Sequence, residues 1–143
     1  MIKNRAFTLI EILVVLIIIA FIMSLIGPAL YKKIAQSERA KTEIILGKLK
    51  GALLSYKVDL QHYPSKKEVG LRALIEKPNV PGNEKWDGPY ADETDLLDGW
   101  NQEFEYNCPP EKHKDKYRSF EIISYGENMI GESDISKQIH TGA

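Results

Sequence analysis

Residues 7–31 read FTLIEILVVLIIIAFIMSLIGPALY, and the last twenty of them, residues 12–31, carry no charge. At about 1.5 Å per helical residue such a run spans about 30 Å, the thickness of a bilayer's hydrocarbon core. Lys3 and Arg5 precede it, Lys32 and Lys33 follow it, and the sequence beyond Tyr31 is mixed and polar. A cleaved secretory signal normally has a shorter apolar run closed by a small-x-small site. This run is longer and ends in Gly27-Pro28-Ala29-Leu30, so a membrane-spanning helix fits it better. Glu11 stands one residue outside the uncharged run. An ionised side chain costs about 2.5–3.5 kcal/mol at the bilayer centre and less near its edge. Residue chemistry leaves two accounts open: a carboxylate at headgroup depth, or one with a specific partner inside an assembly.

The rest of the composition bounds the class. A chain of 143 residues gives one domain with a modest core. Hydrophobic residues are 43% and charged residues 27%, which excludes disordered, collagen-like and disulfide-rich classes. Against 20 Asp+Glu the 19 Lys+Arg leave a net charge of −1, so no excess exists to neutralise phosphates and no nucleic-acid partner is expected. The single Cys108 forbids an internal disulfide, and His62, His113 and His140 are scattered without zinc spacing. Cys108 precedes two prolines with no sequence reason for a low pKa, and no nucleotide-binding glycine loop follows a strand. The expectation is a protein that is not an enzyme.

Periodicity extends the helix past the apolar run. Leu30, Ile34, Ile45, Leu49, Ala52, Leu53, Tyr56 and Leu60 include steps of three and four, which predicts one buried stripe. Glu38, Arg39, Lys41 and Glu43 lie on a solvent face. One helix from residue 7 to about residue 60 is expected, roughly 80 Å long. His62-Tyr63-Pro64 marks its end, because the residue before a proline avoids the helical region. Pro28 lacks the N–H that would bond the Ser24 carbonyl, so a kink is expected there, either a plain membrane-edge kink or a hinge used on leaving the bilayer. The spacing of Leu71, Leu74 and Ile75 predicts a short helix over residues 67–77. Residues 79–98 are turn-rich, and residues 103–106 (EFEY) and 117–124 (YRSFEIIS) read as strands. The expected class is α+β.

The segment Lys3-Asn4-Arg5-Ala6-Phe7-Thr8-Leu9-Ile10-Glu11 resembles the processing site of class III signal peptides, shared by type IV pilins and pseudopilins. The resemblance implies that residues 1–6 are a leader cut between Ala6 and Phe7 by a prepilin peptidase, and that the new Phe7 amine is N-methylated. Ala6 departs from the family's usual glycine. The resemblance also implies that Glu11 of one subunit pairs with the Phe7 amine of its neighbour. Such a pair sets register more than it adds stability. Gly27-Pro28 matches the family's proline late in the helix, which makes Pro28 a second assembly residue.

The tail resembles the major pseudopilins of type II secretion systems, the general secretion pathway protein G family. The shared pieces are Ala52-Leu53-x-x-Tyr56-Lys57-x-Asp59 before Tyr63-Pro64, Gly70-Leu71-x-x-Leu74-Ile75-Glu76-Lys77-Pro78, Asp98-Gly99-Trp100-Asn101, and Ser124-Tyr125-Gly126 leading to Ser133-Asp134-Ile135. This implies a type IV pilin-like fold, a long N-terminal helix packed on a small antiparallel sheet. It further implies a calcium site after Ser124, from the Tyr125 carbonyl, Asn128, Glu132, Ser133 and Asp134. The loop is about two residues shorter than the family's, and Asn128 and Ser133 stand where aspartates are usual, so a weakened Ca2+ site and a metal-free loop both stay open.

The functional expectation is a structural subunit of the type II secretion pseudopilus, a short periplasmic filament that helps export folded proteins across the outer membrane. Residues 7–31 form the transmembrane and assembly helix and residues 32–143 the periplasmic domain of a single-pass inner-membrane protein. Lysines and arginines tie at two on each side of the run, and the cleavage motif breaks the tie in favour of a cytoplasmic leader. The implied partners are other copies of the chain, minor pseudopilins, the inner-membrane assembly platform, the prepilin peptidase and the membrane. A type IV pilin or competence pseudopilin is the alternative, and a membrane-anchored calcium- or ligand-binding module is another.

Overall fold

The computed structural model describes residues 7–127 and 139–143. The chain divides into two compact units, Met1–Gln36 and Ser37–Ala143. One helix, α1 (Leu9–Leu60), provides the secondary structure of the first unit and enters the second. It continues unbroken through Gly27 and Pro28, so the proline is accommodated within the helix and does not end it. Beside it, the Ser24 hydroxyl donates to the Phe21 carbonyl at 2.7 Å.

The expected stripe holds only from Ile45 onward. Thr42, Ile45, Leu46, Leu49, Ala52, Leu53, Tyr56 and Leu60 are buried, while Leu30 and Ile34 are 56% and 53% exposed. Leu30 and Ile34 belong to the unit in which α1 is the only described element, so helical spacing there has nothing to pack against. The helix ends at Leu60, where the sequence predicts its end, and Gln61 follows in a left-handed conformation (φ 67°).

The expected helix over residues 67–77 is instead two 3₁₀ turns, Lys66–Glu68 and Gly70–Leu74. They are separated by Val69 at φ 65° followed by Gly70 at φ 58°. A β-branched residue is rarely left-handed, and this break is what prevents a continuous α-helix. Leu71 and Leu74 are still buried, because a spacing of three also keeps one face in a 3₁₀ turn.

Among the described residues three strands follow: β1 (Glu105–Asn107), β2 (Glu121–Ser124) and β3 (Ile139–Gly142). They form an antiparallel sheet in the order β1-β2-β3, with Tyr106 opposite Ile122 and Ile122 opposite Thr141. Both expected strands are present but shorter than read, and β3 was not anticipated. The core joins Leu49, Leu53 and Tyr56 of α1 to Leu74, Phe104, Phe120 and Ile122.

Candidate functional site

At its N-terminal end α1 is closed by its own side chains. The Glu11 carboxylate (Oε2) accepts the Thr8 backbone N–H at 2.8 Å and the Thr8 hydroxyl at 2.9 Å. In return the Thr8 hydroxyl oxygen accepts the Glu11 N–H at 3.3 Å. This is a capping box, with Thr8 as N-cap and Glu11 at the third helical position, and such caps stabilise a helix start by about 1 kcal/mol. The sequence reading assigned Glu11 only an intermolecular partner and missed this one. The signal was present as Thr-x-x-Glu before an apolar run. Phe7, just outside the cap, is 81% exposed, and Pro28 lies within the helix. Ala6 lies outside the described residues.

The other predicted site begins where β2 ends. Asn128, Glu132, Ser133 and Asp134 lie outside the described residues, so only the entry to this loop is on view. Ser124 donates from its hydroxyl to Asp98 Oδ2 at 2.7 Å and accepts the Gly126 N–H at 3.1 Å. Asp98 Oδ1 accepts the N–H groups of Trp100 and Gln102, both at 2.9 Å. Next to it the Gly99 N–H donates to the Thr42 hydroxyl oxygen at 2.9 Å, and that hydroxyl donates to the Glu38 carbonyl at 2.8 Å. A Cβ on Gly99 would overlap the Glu38 backbone, so only glycine lets this turn lie against α1. The motif Asp98-Gly99-Trp100-Asn101 is thereby explained as the clamp that joins helix, turn and β2. Both Asp98 oxygens accept hydrogen bonds, so this carboxylate anchors the entry to the loop.

Tyr125 is held sideways by its phenol. Its O–H donates to Glu105 Oε2, and Lys112 Nζ donates both to the Tyr125 oxygen and, at 3.0 Å, to Glu105 Oε2. Burial works to raise the Glu105 pKa, but the bonds from Tyr125, Asn107 and Lys112 hold it below the usual carboxylate range. Among the described residues no group of three or more His, Cys, Asp and Glu is arranged to hold a metal ion.

A fully buried carboxylate on β2 organises the adjoining loop. Glu121 accepts N–H bonds from Glu111 at 2.7 Å, Lys112 at 2.8 Å and His113 at 2.8 Å, and the Asn107 amide at 3.0 Å. His113 Nδ1 is 3.0 Å from the same carboxylate, and its ring stacks on His140 of β3 with centroids 4.2 Å apart. Burial alone would raise the Glu121 pKa, yet the backbone donors of Lys112 and Glu111, with Asn107 and His113, lower it to about 2. Sequence reading passed over Glu121, because a glutamate within an apolar strand carries no pattern that announces its donors.

A helix long and apolar enough to cross a membrane, and a small antiparallel sheet packed with its second half, define a type IV pilin-like fold. The family model described as type II secretion system (T2SS), protein G, matches residues 29–141, and the prokaryotic N-terminal methylation motif matches residues 1–27. The type II secretion system core protein G of Escherichia coli (strain K12) is 42% identical over 81 residues, 55% of this chain and 54% of that protein. The match thus spans about half the length of that relative. The core protein G of Dickeya chrysanthemi is 32% identical over 137 residues, 92% of this chain and 83% of that protein. The crystal structure of the major pseudopilin from the type 2 secretion system of enterohaemorrhagic Escherichia coli superposes with a TM-score of 0.57. It shares 25% identity and covers 73% of this chain and 86% of that one. The chain belongs to the type II secretion system protein G family.

The Glu121 pKa gives a pH prediction. A folded-state pKa depressed from 4.5 to about 2 contributes stability above the unfolded value that is lost as pH falls from about 5 towards 2. Glu121→Gln turns an NH2 group towards backbone donors and is expected to cost about 3 kcal/mol at pH 7. Thermal unfolding of the full chain in detergent at pH 7 and pH 3 checks this. The gap between wild type and variant should narrow at pH 3, and an equal gap at both would contradict the assignment.

Proposed function

We propose that this chain is a structural subunit of the type II secretion pseudopilus, polymerising into a short periplasmic filament that helps move folded proteins across the outer membrane. The observation that carries the reading is the bare first half of α1. From Phe7 to Tyr31 its large apolar side chains are 45–84% exposed in the isolated chain. They require a bilayer before assembly and neighbouring helices after it. In this reading residues 1–6 are a leader cut by the prepilin peptidase between Ala6 and Phe7, and Phe7 is then N-methylated. Residues 7–31 anchor the subunit in the inner membrane by a single pass, and residues 32–143 lie in the periplasm. Minor pseudopilins and the inner-membrane platform are the other partners. The subunit does no bond chemistry, and the family relatives support that role.

Glu11 then has two tasks. Thr8 engages one carboxylate oxygen, Oε2, which supports a fixed orientation for the other towards the amine of a neighbour's Phe7. Pro28 is the point at which the helix can bend as the subunit leaves the bilayer, since the Ser24 carbonyl has no proline N–H to bond. Calcium at the loop is part of the same proposal, with the Tyr125 carbonyl, Asn128, Glu132, Ser133 and Asp134 as the donor set. Oxygen donors of this kind suit Ca2+, and the small number of carboxylates makes the affinity low.

Two experiments test these statements. Glu11→Ala should still insert and be cut, because it removes a charge, while crosslinked multimers and secretion both fall. Unchanged multimers and secretion would defeat the pairing. For calcium, the melting temperature of the full chain in detergent should be higher in millimolar Ca2+ than in chelator. Asp134→Ala should abolish that difference, and identical melting of the wild type in both conditions would remove calcium from the account.

A further inference from the structure

Among the described residues β3 pairs with β2 alone, so it is an edge strand, and Ile139 and Gly142 are buried at its two ends. Its side chains also meet the loop that Glu121 gathers. The His140 ring stacks on that of His113, with the planes 26° apart. Tyr117 packs edge-on to both rings, and its hydroxyl oxygen lies 2.9 Å from His140 Nδ1 and 3.4 Å from the His140 carbonyl oxygen. A Cβ on Gly142 would overlap the Tyr117 ring and the Phe120 carbonyl, so strand and loop meet with no space between them.

The two histidines differ in what a proton would meet. The Glu121 carboxylate, 3.0 Å from His113 Nδ1, is ionised and can only accept, so Nδ1 carries the proton of this bond and a charge on the ring is matched. His140 enters no ion pair among the described residues. The titratable and charged groups around it are His113, Lys116 and Tyr117 from the loop and Glu121 from β2. Burial, reinforced by His113 and Lys116, holds the His140 imidazole below its ordinary value, and Glu121 offsets this only in part. The Tyr117 hydroxyl can donate to a neutral Nδ1 or accept from a protonated one, so it does not favour either form.

We propose that the His113–His140 stack is a proton-operated latch on β3: a neutral His140 keeps the strand closed on the loop, and a proton taken up by His140 releases it from the edge of the sheet. The cost of that proton comes from a cation on a half-buried ring that faces His113 and Lys116. Release lets the ring reach water, where its ordinary affinity returns. The closed strand therefore binds the proton less well than the open one. Closure is favoured above the ordinary value of 6.5, and that contribution is lost as pH falls below it. Glu121 stays ionised down to about pH 2 and keeps its donors, so β1 and β2 remain paired in mild acid. The latch acts on one strand, in the range where histidine is the side chain that titrates.

Amide hydrogen exchange of the full chain in detergent at pH 7.5 and pH 5.5, corrected for the intrinsic pH dependence of exchange, tests this. From the higher to the lower pH, protection of the β3 amides should fall by about threefold to tenfold relative to the amides that bond β1 to β2. His140→Gln, neutral at both pH values, should abolish the difference. His62→Gln, which removes the one histidine outside the cluster, should leave it as in the wild type. Equal protection changes in both sets of amides of the wild type, an undiminished difference in His140→Gln, or its loss in His62→Gln would overturn the latch. A second measurement needs no variant. The His140 ring resonances of the wild type should titrate with a midpoint below 6.5, and a midpoint at or above that value would equally overturn the proposal.

Discussion

The constraint on which everything else depends is the burial of the first half of α1, which no described part of the chain provides. Nineteen large apolar residues from Phe7 to Ile34 stand at least 45% exposed in the isolated chain. Burying one such side chain is worth about 1.5–3 kcal/mol, so leaving all of them in water would cost on the order of tens of kcal/mol. A whole domain is stabilised by only about 5–15 kcal/mol. The surroundings of this helix are therefore decided by energetics far larger than any contact inside the second unit. Hydrocarbon and packed neighbouring helices are the two settings that satisfy it.

The second unit has a different task, which is to fix one face of the same helix and leave another open. Leu49, Leu53 and Tyr56 are fully buried against the 3₁₀ turns and the sheet. Polar groups then determine the placement of the loops. Thr42, Asp98 and Ser124 run a chain of hydrogen bonds from α1 through the 98–102 turn to the end of β2. Glu121 gathers three backbone N–H groups from residues 111–113 beside the same strand. Buried polar groups of this kind are costly unless fully satisfied, so they specify a single arrangement where an apolar core alone would allow several.

The sequence was most legible where one pattern had one physical cause. Twenty uncharged residues could be read directly as a bilayer-length helix, and the motif around Glu11 pointed to the family. The stripe from Ile45 to Leu60 was also plain, but its extension to Leu30 and Ile34 was not, since spacing records a face and not what covers it. The 67–77 helix failed because Leu71 and Leu74 satisfy both a 3.6- and a 3.0-residue period, and the left-handed Val69 that decides between them is unusual for its type. Strand β3 was missed because Ile139-His140-Thr141-Gly142 is too short and mixed to alternate clearly. The Thr8–Glu11 cap was visible as Thr-x-x-Glu but was overshadowed by the intermolecular partner expected for Glu11.

The central claim is that the apolar half of α1 passes from lipid to contact with the helices of other copies. Single cysteines placed along residues 12–26 in a Cys108→Ser background, oxidised in membranes while secretion is active, measure this most directly. The account predicts disulfide-linked dimers and longer ladders at positions sharing one helical face, at steps of three and four residues. Uniformly monomeric chains at every position, with the protein inserted and stable, would mean that the helix is only an anchor and would contradict the filament account.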